Sequence, residues 1–148
     1  ALLGTSYDVA ELEGDANPGV SSRVQAVVAM SGVYTMNHPR RKDPVALVAL
    51  EEELLGGPLE EKADLARLAS PVTHIREGAS PFLLIHGPND DIVPMAHAEF
   101  LYDRLVRLNV GATMIPIAGG DHGLSAYWEL AEQLVSDFFV RVLSETLS

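Results

Sequence analysis

Two short loops carry the residue types of proton-transfer chemistry. The first is His86-Gly87-Pro88-Asn89-Asp90-Asp91-Ile92-Val93-Pro94. An acid in the turn just after a buried strand is held rigidly by that strand. A fixed carboxylate can orient an imidazole and stabilise the imidazolium it becomes. The second loop is Gly119-Gly120-Asp121-His122-Gly123. A histidine among small residues can approach other loops closely and stay accessible, as a general base must. Each loop also has a plainer reading. An Asp-Asp pair is common turn chemistry, and a loop histidine can simply sit at the surface. Their order is more specific than either alone. Acid turn, helix, strand and histidine loop follow one another as the latter part of a serine, acid, histidine order would.

In open α/β sheets, ligands bind beyond the carboxyl ends of the strands, so the strands must place these loops. Val24–Ser31 (VQAVVAMS), Pro81–His86 (PFLLIH) and Ala112–Ile117 read as strands, the first two apolar enough to be buried on both faces. Helices are expected between them. Asp43 caps and Pro44 opens one that runs to Leu55 and stops at Gly56-Gly57. A second runs from Leu59 to Leu68, and Ser70-Pro71 starts a turn. Pro94–Leu108 is amphipathic, with Ala98, Leu101, Leu105 and Leu108 on one face. The last helix runs from Ser125, its cap, to Leu147 and buries Tyr127, Ala131, Leu134, Phe138 and Val142. Ala1–Ser6 reads as the last turn of a helix closed by a glycine. Asp8–Ser22 is a loop, and Val33–Lys42 is irregular. Strands alternating with helices imply the α/β class, a parallel sheet with right-handed crossovers.

The composition excludes several functions. The formal charge is −11 over 148 residues, which repels a nucleic-acid backbone. The chain has no cysteine, which removes disulfides, thiolate metal sites and a cysteine nucleophile. No apolar run approaches the roughly 18 residues a membrane span needs. His38, His74 and His97 lack metal-ligand spacing, and no glycine-rich phosphate loop follows a strand. No metal or organic cofactor is expected. Glu51-Glu52-Glu53 reads as a solvated helix face, Tyr127 and Trp128 as packing residues, and Tyr34 as a possible pocket wall.

At the motif level the chain resembles the α/β-hydrolase superfamily. His86-Gly-x-x-Asp90-x-x-Val93-Pro94 matches its HG-x-x-D-x-x-V-P segment, and Gly120-Asp121-His122-Gly123 is similar to its G-x-H-G loop. Leu55-Gly56-Gly57-Pro58 and Ala69-Ser70-Pro71-Val72 resemble the insertion of esterases in the feruloyl-esterase and deacetylase-like, dipeptidyl-peptidase-related group. The resemblance implies the C-terminal part of a single α/β-hydrolase domain, with a helical insertion at about 43–75. It makes Asp90 the triad acid and His122 the general base, with Asp91 at the surface or supporting the turn. His86 itself reads as a support for its turn rather than a reacting group. Pro88 departs from the Asp or Thr common at that position and stiffens the turn. The implied activity is hydrolysis of a small carboxylic ester. Two rivals remain: a dipeptidyl- or acylaminoacyl-peptidase portion, and a non-catalytic binding or assembly module.

No serine fits the family's G-x-S-x-G nucleophile elbow. Ser31 is a strand-end hydroxyl, Ser21 and Ser22 precede a strand, and Ser125 opens a helix. Ala1–Ser6 resembles the end of the helix that the nucleophile opens in relatives. The serine is therefore expected about seven residues upstream of Ala1. The partner this implies is the N-terminal part of the same fold, in the same precursor or a companion chain. Without it the Val24–Ser31 strand becomes a sheet edge, so the chain is not expected to work as a free-standing monomer.

Overall fold

The pentapeptide Phe82–His86 forms the middle strand of a three-stranded sheet, and all five of its residues are buried. A computed structural model describes residues 1–15, 19–36 and 43–146. In chain order it contains α1 (Leu2–Thr5), β1 (Val27–Met30), α2 (Val45–Leu55), α3 (Ala63–Leu68), β2 (Phe82–His86), α4 (Ala96–Arg107), β3 (Ala112–Pro116) and α5 (Trp128–Thr146). Short 3-10 turns occupy Pro71–Thr73 and Ser125–Tyr127. The sheet order is β1-β2-β3 and every pairing is parallel. This is the α/β architecture expected from the alternating pattern.

Alternation along β2 divides the interior into two cores. Phe82 and Leu84 point to one face, where Val27, Ala29, Ala98, Leu101 and Leu105 join them. Leu83 and Ile85 point to the other, with Ile117, Leu124 and Phe138. The expected apolar face of α4 is fully buried at Ala98, Leu101 and Leu105. On α5, Ala131 and Phe138 are buried as expected, and Leu134 and Val142 are half-buried.

Several local expectations are corrected by tertiary contacts. Asp43 does not cap α2; its carboxylate reaches His97 Nε2 at 3.2 Å, and Pro44 occupies the cap position. A buried imidazole wins the carboxylate over a helix terminus that water can satisfy. Helix α3 starts at Ala63 rather than Leu59; ahead of it the Glu61 and Lys62 N–H groups close a single turn on the Pro58 carbonyl. Ser125 and Tyr127 lie in the 3-10 turn ahead of α5, which itself starts at Trp128. Glu51 is buried, not solvated, and Trp128 is exposed, not packed. Tyr34 is buried and folds back on its own loop, its hydroxyl accepting the Gly32 N–H; burial pushes that hydroxyl up to about 12. Gly4 does not close α1. It sits inside the turn, where a Cβ would lie 2.3 Å from Val27 Cγ2, so its role is close packing on β1.

His74 Nε2 contacts the Leu68 carbonyl, and His97 is a buried bridge. His38 lies outside the described residues. Among the described residues no group of three or more metal-ligating side chains converges, and no helix is long and apolar enough to cross a membrane.

Candidate active site

The acid turn begins where β2 ends. The Asp90 N–H returns to the Gly87 carbonyl at 3.0 Å and closes a tight turn. Its carboxylate then uses both oxygens. Oδ1 accepts the backbone N–H groups of Ile92 at 3.0 Å and Val93 at 2.8 Å. Oδ2 accepts His122 Nδ1–H at 2.9 Å. Burial alone would push this carboxyl up. The hydrogen bonds from Val93, His122 and Ile92, together with the positive charge His122 carries in its protonated form, outweigh burial and hold it below the ordinary carboxylate range. Asp90 is thus a buried, fixed anion. Asp91 beside it is exposed. Pro88 costs the turn nothing, because the donors used are on Asn89 and Asp90.

The histidine loop leaves β3 and tightens at once, with Gly120 N–H bonded to the Ile117 carbonyl at 2.8 Å. The two loops touch through backbone. Asn89 N–H donates to the Gly120 carbonyl at 3.0 Å. A Cβ on Gly87 would lie 2.3 Å from that same oxygen, so only glycine permits this approach. The His122 side chain is 38% exposed while the Asp90 carboxylate is fully buried. The carboxylate can only accept, so Nδ1 carries the hydrogen and the neutral ring has its lone pair on Nε2. An oriented, accessible base backed by a buried anion is the result. The two residues singled out in the sequence are therefore brought together.

Sequence reading missed backbone strain beside the site. Ser31, at the end of β1, has φ 45°, and Leu124, two residues after His122, has φ 51°. Left-handed geometry is costly for both residue types. Ser31 is held there by its N–H bond to the Ile85 carbonyl at 3.1 Å, and its hydroxyl is buried without a partner among the described residues. Residue type alone does not signal this; Ser-Gly after a strand reads only as a turn. Replacing Ser31 by glycine removes both the strain and the orphaned hydroxyl. It is expected to stabilise the fold by about 1 kcal/mol, read as a higher unfolding midpoint.

Parallel strands flanked by helices, with an acid after β2 and a histidine after β3, are the arrangement of the α/β-hydrolase fold. The chain belongs to the BD-FAE family, whose model matches residues 1–105. That match includes Asp90 and stops before His122. The chain is 39% identical over 87 residues to the probable carboxylic ester hydrolase LipM of Mycobacterium tuberculosis (strain ATCC 25618 / H37Rv), covering 57% of this chain and 20% of LipM. It is 29% identical over 127 residues to the esterase LipC of the same organism, covering 83% of this chain and 31% of LipC. Among solved structures, a truncated carbohydrate esterase from gut microbiota superposes with a TM-score of 0.71 at 27% identity. That superposition covers 82% of this chain and 43% of the esterase. The chain thus spans less than half the length of each of these relatives.

Proposed function

We propose that this chain supplies the acid and the base of a serine-type carboxylic ester hydrolase. The observation that carries the reading is the 2.9 Å contact from accessible His122 to buried Asp90. The esterase names of the relatives favour an ester over a peptide. In this reading residues 1–148 are the C-terminal portion of one α/β-hydrolase domain, with a helical insertion at about 43–75. The nucleophile belongs to an N-terminal part of the same fold, because no G-x-S-x-G occurs in these residues.

The chemistry then follows from the pair. His122 Nε2 takes the serine proton as the oxygen attacks the ester carbonyl. Asp90 holds Nδ1–H and stabilises the imidazolium. The same proton passes to the departing alcohol, leaving an acyl-enzyme. His122 next takes a proton from water, which attacks the acyl carbon; the acyl–serine bond breaks, the acid leaves, and His122 returns that proton to the serine oxygen. Asp90 keeps its negative charge throughout.

A fluorophosphonate tests the proposal on the complete protein. It should attach to one serine outside residues 1–148, and hydrolysis of a short-chain p-nitrophenyl ester should fall in step with labelling. Hydrolysis that persists at full labelling rejects the reading, as does a label on a serine within these residues.

A further inference from the structure

His86 is fully buried beside the pair, and the steps above leave it without a task. Its Nε2 lies 2.9 Å from the Val93 carbonyl oxygen and 3.1 Å from Asp90 Oδ2. Both oxygens can only accept, so Nε2 carries the hydrogen. Nδ1 is buried with no partner among the described residues. That position suits a lone pair better than a second N–H, whose loss of water would go uncompensated. The Nε2–H points at the Val93 carbonyl, and the carboxylate oxygen lies alongside it. Val93 is also the residue whose own N–H donates to Asp90 Oδ1 at 2.8 Å.

We infer that His86 is a positioning residue for the acid. It clamps the Val93 peptide, and through Val93 it fixes one carboxylate oxygen. It also lays an N–H dipole against the other oxygen, the one that receives His122. The inference rests on reading Asp90 and His122 as acid and base. The titratable side chains against the Asp90 carboxylate are His86 from β2 and His122 from the loop after β3. Asp91, next to Asp90, and Asp121, next to His122, are exposed, and Tyr127 from the following turn packs on Gly119. Among the described residues no lysine or arginine pairs with Asp90.

Removing an N–H dipole from a buried anion raises the affinity of the acid–base pair for a proton. The acid limb of kcat/KM must then move to higher pH. The experiment is the pH profile of p-nitrophenyl ester hydrolysis by the complete hydrolase and three variants. His86→Phe keeps the volume and loses the donor. His86→Asn keeps a polar group whose amide is too short to reach the Nε2 position. His86→Gln places an amide N–H near where Nε2 stands. His86→Phe and His86→Asn should move the acid limb up by about half a pH unit or more. They should also lower kcat/KM by about tenfold, the kinetic equivalent of one hydrogen bond to a charged group. His86→Gln should restore the limb. If the donor-lacking variants keep the wild-type limb, His86 only fills space and the inference falls; His86→Asn carries this test alone if His86→Phe does not fold. His122→Ala separates the two ideas. If it leaves hydrolysis intact, the acid–base reading itself fails; if it abolishes hydrolysis while the limb ignores His86, only the role of His86 fails.

Discussion

Replacing His122 by alanine in the complete hydrolase is expected to lower kcat for a short-chain ester by about 10⁶-fold, the scale set by loss of a serine-hydrolase base. Asp90→Asn should cost about 10⁴-fold for a different reason. In the native turn, Oδ1 is held by the N–H groups of Ile92 and Val93. An asparagine must keep its oxygen there, because two donors cannot face an amide NH₂. Its NH₂ is then forced toward His122 Nδ1, which must accept. The proton moves to Nε2, and the lone pair that should receive the serine proton is gone. The geometry survives and the tautomer is wrong. Measuring kcat alongside a thermal melt checks both variants. Losses below about tenfold in properly folded protein would remove the pair from catalysis.

Much of this site is local in sequence, and that is why it could be read. The turn formers Gly87 to Asp91 directly follow an apolar strand, and Gly119 to Gly123 directly follow another. Parallel strands carry both loops to the same edge without any long-range information. The strand cores were legible for the same reason: runs such as FLLIH are apolar on both faces. What escaped was set by partners distant in the chain. Asp43 looked like a helix cap because capping is a local signal, and it was claimed by His97, 54 residues away. Glu51 sits in an acidic run that reads as solvated, yet the fold buries it. Ser31 carries strain that no residue type announces. The support given by His86 could be guessed from its place before the turn. Its contact with Val93, which closes the turn from behind, could not.

The second large effect tests whether the approach of the two loops is itself required. A Cβ at position 87 would meet the Gly120 carbonyl oxygen at 2.3 Å, its carbon at 2.4 Å and the Asp121 carbonyl oxygen at 2.7 Å. All three are backbone atoms, so no rotamer change relieves the clash. Gly87→Ala must therefore push the loops apart by about 1 Å to restore ordinary contact. The Asn89 to Gly120 bond would stretch with it, and so would the 2.9 Å contact between His122 and Asp90. A misplacement of that size is expected to cost about 100-fold in kcat, with destabilisation of about 1–3 kcal/mol from overpacking. Gly111→Ala is the matched control. Its Cβ would meet only Pro81 Cβ at 3.6 Å, an ordinary contact, so activity should hold. If Gly87→Ala folds and retains full kcat, close packing of the two loops is not what aligns the base. The alignment would then rest on the hydrogen bonds within the acid turn alone.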